Sequence, residues 1–140
     1  MMYSAYKGVA HPWLCDVMGH MTTRHYVAMF DDASYHFLNE VFGWMPGASD
    51  GPGWVDVKHT ITYEDEVAAG DLLEVRAALA KIGGKSITVI YEMHNLTKGG
   101  IAANLESVSV YFDLTDRKAI TIPDALRASA QSFLQPGDTG

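Results

Sequence analysis

Apolar residues between Thr23 and Phe42 recur at the spacing of an α-helix. This segment contains no glycine or proline, and its main apolar positions lie three or four residues apart: Tyr26, Phe30, Ala33, Phe37 and Val41. Val27, Met29, Leu38 and Phe42 widen the stripe to about half the circumference, more than the ~100° typical of a surface helix. The pattern predicts an enclosed helix of about 30 Å. Thr22 or Thr23 is expected at its N-cap, and Gly43 just after its last residue.

The rest of the chain mostly alternates apolar and polar residues, as β-strands do. Strands are predicted at Met2 to His11, Val55 to Tyr63, Leu73 to Leu79, Ile87 to Met93 and Ile101 to Leu114. Gly83-Gly84 and Lys98-Gly99-Gly100 predict the turns between the last three. In the last strand the apolar positions change from odd to even numbers, which predicts a bulge between Leu105 and Ser107. A short terminal helix is predicted at Pro123 to Phe133.

The lengths of these elements restrict the fold to the α+β class. Strands of about ten residues reach about 33 Å, which matches the single long helix, so we expect an antiparallel sheet of four or five strands curved around it. The helix covers only one face of such a sheet, which predicts a dimer or a larger homo-oligomer. We expect one domain at residues 1–134 and a flexible tail at 135–140.

Composition narrows the class of partner. The 140-residue chain is 48% hydrophobic, enough for a core without disulfides, and its net charge of −7 argues against nucleic acid as a partner. A single cysteine, Cys15, fits a reducing compartment. The sequence contains no recognisable signal peptide and no run approaching about 18 apolar residues, so we expect a cytoplasmic protein without a membrane partner. Neither metal-ligand spacing among the six histidines nor a glycine-rich phosphate loop is present, so we expect no metal and no cofactor.

The segment from Trp13 to Thr23 contains the strongest candidate chemistry. Asp16 and His20 flank Gly19 in the loop that leads into the long helix. The first N–H groups of a helix are free and lie at the positive end of its dipole, so they stabilise a developing oxyanion. A carboxylate beside them can attack a carbonyl or activate water. The spacing alone also fits a simpler interpretation, in which Asp16 caps the loop and His20 is a turn residue.

Two segments of the chain resemble one protein family. Asp16-x-x-Gly19-His20-Met21-x-x-x-x-Tyr26 is similar to the Asp-x-x-Gly-His-x-Asn-Asn-x-x-Tyr motif of hotdog-fold thioesterases of the 4-hydroxybenzoyl-CoA thioesterase type. The segment from His59 to Val75 is similar to the second and third strands of that family. The resemblance covers residues 3–114. It implies a hotdog fold, with a curved five-stranded antiparallel sheet wrapped around one long helix, that dimerises through the sheet and often forms tetramers.

The resemblance also implies residue roles. Asp16 matches the catalytic carboxylate, as nucleophile or general base, and Thr23 matches the residue at the start of the helix whose backbone N–H polarises the thioester carbonyl. Thr22-Thr23 replaces the family's Asn pair, so a main-chain contact is kept and an Asn side-chain contact is lost. Gly19, His20, His59 and Glu66 are expected at the substrate. His59 also fits an interior position, and Glu66 a solvated carboxylate at a strand end.

The implied activity is hydrolysis of a small or medium acyl-CoA by a homodimer or homotetramer. Two alternatives remain open: a hotdog enoyl-CoA hydratase, whose Asp and His lie further apart in sequence, and a non-catalytic acyl-binding protein. CoA carries several phosphates, so basic residues are needed near the cleft. Candidates at predicted strand ends and turns are Lys81, Lys85, Lys98 and Arg117-Lys118, and the sequence does not distinguish among them.

Overall fold

The computed structural model describes residues 2–47 and 49–135 and places one long helix inside a curved sheet. The elements in chain order are β1 (Tyr3–Val9), α1 (Thr23–Phe42), β2 (Pro52–Tyr63), β3 (Leu72–Ile82), β4 (Ser86–Asn95), β5 (Ile101–Asp113), β6 (Lys118–Ala119) and α2 (Asp124–Ala130). Single 3-10 turns lie at Pro12–Leu14 and Gln131–Phe133. The predicted tail lies outside the described residues apart from Gln135, whose N–H donates to the Leu79 carbonyl at 2.8 Å.

The sheet is antiparallel throughout and has the strand order β1-β3-β4-β5-β2, with the short β6 added to β5. β1 and β2 are therefore the two ends of the main sheet. This arrangement confirms the predicted α+β class and the sheet wrapped around the helix. None of the helices in the described part of the chain is both long enough and apolar enough to cross a bilayer.

Helix α1 begins and ends at the predicted residues. Gly43 follows it at a φ of 66°, a left-handed conformation that suits glycine, and its N–H donates to the Asn39 carbonyl at 2.8 Å. Thr22 occupies the N-cap position, but its hydroxyl does not cap the helix and lies 3.5 Å from the Leu14 carbonyl instead. Val27 is 38% exposed, so it does not belong to the buried stripe in which the sequence pattern placed it.

The core forms between α1 and the inner faces of β3 and β4. Phe30 and Phe37 of the helix both contact Tyr91 of β4, with ring centroids 6.3 and 6.2 Å apart. The alternating residues predicted to face inward on these strands are all buried: Leu73, Val75, Ala77 and Leu79 on β3, and Ile87, Val89, Tyr91 and Met93 on β4. The central strands are therefore arranged as their hydrophobic pattern predicts.

The helix-facing side of β2 changes parity at an unpredicted bulge. Asp56 pairs with Ser109 and Lys58 with Val108, which leaves Val57 as the extra residue. Directly paired residues share a sheet face, so Trp54 and Asp56 face the helix before the bulge, and His59, Ile61 and Tyr63 after it. The prediction that one alternating series runs from Val55 to Tyr63 is therefore wrong. Val55 and Val57 are 36% and 59% exposed.

The bulge predicted between Leu105 and Ser107 of β5 is also misplaced. The extra residue of β5 is Ala102, opposite β4, and the odd-numbered positions from Ala103 to Tyr111 are buried without interruption. Two of these inward positions hold Ser107 and Ser109. The apolar residues change from odd to even positions because serines occupy inward positions while valines occupy the outer face.

Candidate active site

The side chain of Asp16 organises the loop before α1. Its Oδ1 accepts hydrogen bonds from the N–H groups of Met18, at 2.8 Å, and His20, at 3.3 Å. Gly19 has a φ of 81°, a left-handed conformation that allows the chain to reverse here. Oδ2 accepts no hydrogen bond from the residues that the structure describes. One carboxylate oxygen therefore shapes the loop, and the other remains available.

This loop is fixed to the segment between β2 and β3. The N–H of Met21 donates to the Val67 carbonyl at 2.8 Å, and the N–H of Ala69 donates to the Gly19 carbonyl at 3.2 Å. His20 and Ala68 form an isolated antiparallel bridge. The loop that contains Asp16 and the segment that contains Glu66 are therefore held together by main-chain hydrogen bonds.

The N-terminus of α1 presents free hydrogen-bond donors. Thr23 is the first helical residue, and within residues 2–47 and 49–135 neither its N–H nor that of Arg24 has a backbone acceptor. The first helical hydrogen bond at this end is donated by His25 to the Thr22 carbonyl at 3.0 Å. Two donors at the positive end of the helix dipole therefore remain for a ligand.

A cavity of about 530 Å³ opens beside this helix end. It is lined by Met18, His20, Met21, Thr23, Tyr26, Tyr63, Glu64, Asp65 and Glu66. Tyr26 and Tyr63 form its aromatic wall, with their rings edge to face and 5.1 Å apart. Burial raises the pKa of Tyr26, although a hydrogen bond from the Val67 backbone opposes the change. Its hydroxyl is therefore a neutral group near pH 7.

Another wall of the cavity is acidic. Glu64, Asp65 and Glu66 follow β2 directly, and the Glu66 Oε2 lies 3.3 Å from Nε2 of His20. The Glu66 side chain is 73% exposed, so this pair lies at the rim of the cavity. No lysine or arginine is among the described lining residues. The phosphates of a CoA ligand would therefore have to lie beyond the cavity itself.

The structure brings together some of the predicted site residues and separates others. Thr23, His20 and Glu66 line the cavity. Asp16 and Gly19 lie in the loop immediately before it and do not line it. His59 lies on the helix-facing side of β2, with Nε2 3.4 Å from Asp56 Oδ2, and is not among the lining residues.

Six lining residues were not predicted as site residues: Met18, Met21, Tyr26, Tyr63, Glu64 and Asp65. The first three lie within the motif from Asp16 to Tyr26, and the other three lie at the end of β2. The available signal was the run of three acidic residues that directly follows an aromatic residue at a strand end. The basic candidates for CoA binding, Lys81, Lys85, Lys98 and Arg117-Lys118, do not line the cavity. Of these, Lys98 pairs with Asp71 at 3.4 Å.

Asp71 stabilises the segment that forms the acidic wall. Its side chain is only 6% exposed, and Oδ2 accepts hydrogen bonds from the Ala68 N–H and the Asn95 Nδ2, both at 2.9 Å. Burial raises the pKa of Asp71, but these two hydrogen bonds and the Lys98 ammonium outweigh burial and hold the pKa below its ordinary value. Asp71 therefore acts as a buried anion that orders the chain between Ala68 and β3.

Within the described residues, no group of three or more His, Cys, Asp or Glu side chains is arranged to hold a metal ion.

An antiparallel sheet wrapped around one long helix, with a carboxylate loop at the start of that helix, defines the hotdog class of proteins. The model of the thioesterase-like superfamily matches residues 10–129 of this chain. The chain belongs to this superfamily and is a thioester hydrolase.

Solved structures of similar proteins have the same fold. A predicted thioesterase from Bacillus stearothermophilus superposes with a TM-score of 0.82 at 18% identity, covering 97% of this chain and 98% of its own. The probable thioesterase YbaW from Escherichia coli gives 0.80 at 21% identity, covering 95% and 100%. A Staphylococcus aureus protein solved in complex with CoA gives 0.80 at 13% identity, covering 96% and 87%. The search of curated proteins finds no match.

Proposed function

We propose that this thioester hydrolase acts on an acyl-CoA with a small or medium acyl group. The observation that carries the proposal is the start of α1, where the N–H of Thr23 has no backbone acceptor and adjoins a cavity of about 530 Å³. A thioester carbonyl placed at this point would receive a hydrogen bond from the main chain. CoA as the thiol part is supported by the similar Staphylococcus aureus protein, which was solved in complex with CoA.

In the proposed reaction, Asp16 acts through Oδ2. As a general base, it removes a proton from water, whose oxygen attacks the thioester carbonyl carbon. The carbonyl oxygen becomes an oxyanion, which the N–H of Thr23 stabilises. When the oxyanion collapses, the C–S bond breaks, and the departing CoA thiolate takes up the proton that Asp16 removed from water. As a nucleophile, Asp16 itself attacks the carbonyl carbon, the C–S bond breaks and the CoA thiolate leaves, and water then hydrolyses the resulting anhydride to the acid product and free Asp16.

These two routes leave different isotope patterns. In a single turnover in heavy-oxygen water, a general base leaves the Asp16 carboxylate unlabelled and all the label appears in the acid product. A nucleophilic Asp16 retains one heavy oxygen when water attacks its own carbonyl carbon. Heavy oxygen in the peptide that contains Asp16, detected by mass spectrometry, therefore identifies a nucleophilic Asp16 whose anhydride is opened at its own carbonyl carbon.

We propose that His20, Glu66 and Gly19 position the substrate rather than react with it. His20 and Glu66 form a pair at the cavity rim, where the acyl or pantetheine part would pass. Gly19 provides the turn that brings His20 next to Ala68. The role of His59 at the substrate stays a sequence prediction, because its partner Asp56 and its place on β2 lie outside this cavity.

We also propose that two copies of the chain associate through β2. This strand of 12 residues pairs with β5 on one side, and no other described strand pairs with its second side. Val55 and Val57 of this strand are exposed. In the loop that contains Asp16, Val17 is fully exposed and Met18 is 72% exposed. An exposed edge with apolar side chains favours strand pairing with another chain. Pairing of β2 with the β2 of a second copy would cover this edge and the apolar residues beside the candidate site.

The function is tested by incubating the purified protein with a series of acyl-CoA esters and a thiol-reactive dye. Steady release of thiol, with a preference among acyl lengths, is expected. Loss of enoyl absorbance without thiol release would indicate a hydratase and contradict the proposal. Ligand-dependent thermal stabilisation without turnover would indicate an acyl-binding protein and would also contradict it.

A further inference from the structure

The cavity at the start of α1 is bounded on one side by a pair of tyrosine rings. Tyr26 of α1 and Tyr63 of β2 meet edge to face, with ring centroids 5.1 Å apart. Tyr26 is 4% exposed and belongs to the core, whereas Tyr63 is 45% exposed and is the last residue of an outer strand. The core therefore fixes the Tyr26 ring, and the end of β2 holds the Tyr63 ring against it.

The two parts of a thioester substrate have different requirements in this cavity. The CoA part carries phosphates, which the acidic wall at residues 64–66 repels, so it has to extend past the exposed rim into solvent. The acyl part is apolar, and the aromatic pair gives it apolar surface to contact. A thioester carbonyl held at the Thr23 N–H therefore directs its acyl chain towards Tyr26 and Tyr63.

The helix leaves a gap on the β2 side of the fold. It packs mainly against β1 and β3, and less closely against β2. Val27 lies one turn after Thr23, which lines the cavity, and one turn before Asp31. Asp31 in turn lines a small cleft with Asp56 of β2. These three helix positions face β2, and Val27 is 38% exposed because the strand does not cover it.

The facing side of β2 is apolar over only a short distance beyond Tyr63. Ile61 is the next residue on the helix-facing side, about 7 Å along the strand, and is partly buried. His59 follows on that side, about 13 Å from Tyr63, and its Nε2 lies 3.4 Å from Asp56 Oδ2. Behind the Tyr63 ring, Val27 and Ile61 therefore offer apolar surface for the length of about five methylene groups before polar side chains begin.

We propose that Tyr63 limits the length of the acyl group that the enzyme accepts. Tyr26 lies three residues after Thr23, so the aromatic wall begins about 4.5 Å along the helix from the proposed oxyanion donor. An extended acyl chain of about four carbons spans this distance, whereas one of about eight needs the space that the Tyr63 ring occupies. This limit depends on the proposed hydrolysis of an acyl-CoA and defines its substrates as short straight-chain acyl groups.

The experiment compares wild type and Tyr63→Ala on butyl and octyl chains. Calorimetry gives the affinities of the thioethers S-butyl-CoA and S-octyl-CoA, which have no carbonyl to hydrolyse. Thiol release gives kcat/KM for butyryl-CoA and octanoyl-CoA. The wild type should favour the shorter chain in both measurements. Tyr63→Ala should raise the preference for the longer chain over the shorter one at least about tenfold, because the opened space buries additional methylene groups.

Three further variants separate the size of the ring from other effects. Tyr63→Phe keeps the ring and should leave the chain preference within about twofold of wild type. Tyr35→Ala removes a tyrosine that is also 45% exposed but stacks on Trp44 and does not line the cavity, so the preference should again change less than about twofold. Tyr63→Val also shortens the side chain, suits a strand, and should change the preference in the same direction as Tyr63→Ala.

A wild type that prefers the octyl chain would overturn the proposal. The same chain preference in wild type, Tyr63→Ala and Tyr63→Val, or an equal change in Tyr35→Ala, would also overturn it. Absence of thiol release from every acyl-CoA would instead contradict the proposed hydrolysis, and the thioether affinities would still test whether Tyr63 limits the chain.

Discussion

Replacing Thr23 with proline removes one hydrogen atom from the proposed oxyanion site while leaving the fold intact. The N–H of Thr23 has no backbone acceptor in the described structure, so proline removes no hydrogen bond there. Thr22 is extended, with φ −76° and ψ 153°, which is the conformation required before proline. Proline is also favoured at the first helical position. The free energy of unfolding should therefore change by less than about 1 kcal/mol.

The predicted effect of Thr23→Pro on turnover is large. The N–H of Arg24 remains available, so only one of two free donors is lost. Loss of one oxyanion donor typically lowers kcat about 10²–10³-fold, equivalent to about 2.7–4 kcal/mol of transition-state stabilisation. Thiol release at saturating acyl-CoA measures kcat, and thermal unfolding followed by circular dichroism measures stability on the same preparations.

Thr23→Ala is the matched control, because it keeps the N–H and removes only the hydroxyl. Thr23 is the first helical residue rather than the N-cap, and its side chain is exposed, so stability should change by less than about 0.5 kcal/mol and kcat by less than about threefold. A folded Thr23→Pro protein as active as Thr23→Ala would refute the assignment of this donor. A stable but inactive Thr23→Ala protein would show that the hydroxyl, rather than the N–H, contacts the substrate.

Three further predictions concern stability and assembly. Asp71→Ala removes two hydrogen bonds to a buried carboxylate and should lower the free energy of unfolding in denaturant by about 3–4 kcal/mol. Lys98→Ala should lower it by less than about 1 kcal/mol, and similar losses for the two variants would contradict the structural role of Asp71. Because the pKa of Asp71 is lowered in the folded protein, its contribution to stability should be fully present above about pH 4 and be lost as the pH falls through the folded pKa. Asp71→Asn should flatten this part of the curve of unfolding free energy against pH. Light scattering should give at least twice the 15.3 kDa chain mass for the wild type and a smaller assembly for Val55→Asp. A wild-type monomer at micromolar concentration would exclude the proposed contact through β2.

The elements that the sequence predicts well are those whose whole pattern is set by burial on one side. Phe30, Phe37 and Val41 repeat at helical spacing because α1 buries one continuous stripe. Gly43 marks the end of the helix because its φ is positive. β3 and β4 lie inside the sheet; the inward series runs from Ile87 to Met93 on β4, and from Leu73 to Leu79 on β3, where a register shift at Ala80 ends it. Propensity, pattern and burial agree in these segments, so the bounds of α1 and the inward residues of β3 and β4 could be predicted from the chain alone.

The errors lie at β2 and β5, where the inward positions are not apolar. Asp56 and His59 of β2 and Ser109 of β5 face the helix, and the bulge at Val57 changes the series within β2. No residue type marks a bulge of this kind, since it depends on pairing with a strand some fifty residues away. The exposed valines of β2 also suggested burial. Polar residues on an inner face break the apolar alternation from which strands and their faces are predicted.

The candidate active site was predicted through the motif rather than through geometry. Asp16, Gly19 and His20 lie in one loop in sequence, so their proximity needed no tertiary information. Tyr63, Glu64 and Asp65 reach the same cavity only because main-chain hydrogen bonds join the segment after β2 to that loop. Such long-range contacts are not encoded in local spacing, which explains why this wall was missed.

The most direct test of the catalytic assignment is the kcat of Asp16→Asn in the thiol-release assay. Asparagine keeps an Oδ1 that can accept the hydrogen bonds from Met18 and His20, so the loop should fold as before and the Tm should stay within a few degrees of wild type. The substitution removes the charge of the available oxygen. The account predicts a loss of about 10²–10⁴-fold in kcat. A folded variant that retains more than about a tenth of the wild-type rate, a loss of under ~1.4 kcal/mol, would contradict it.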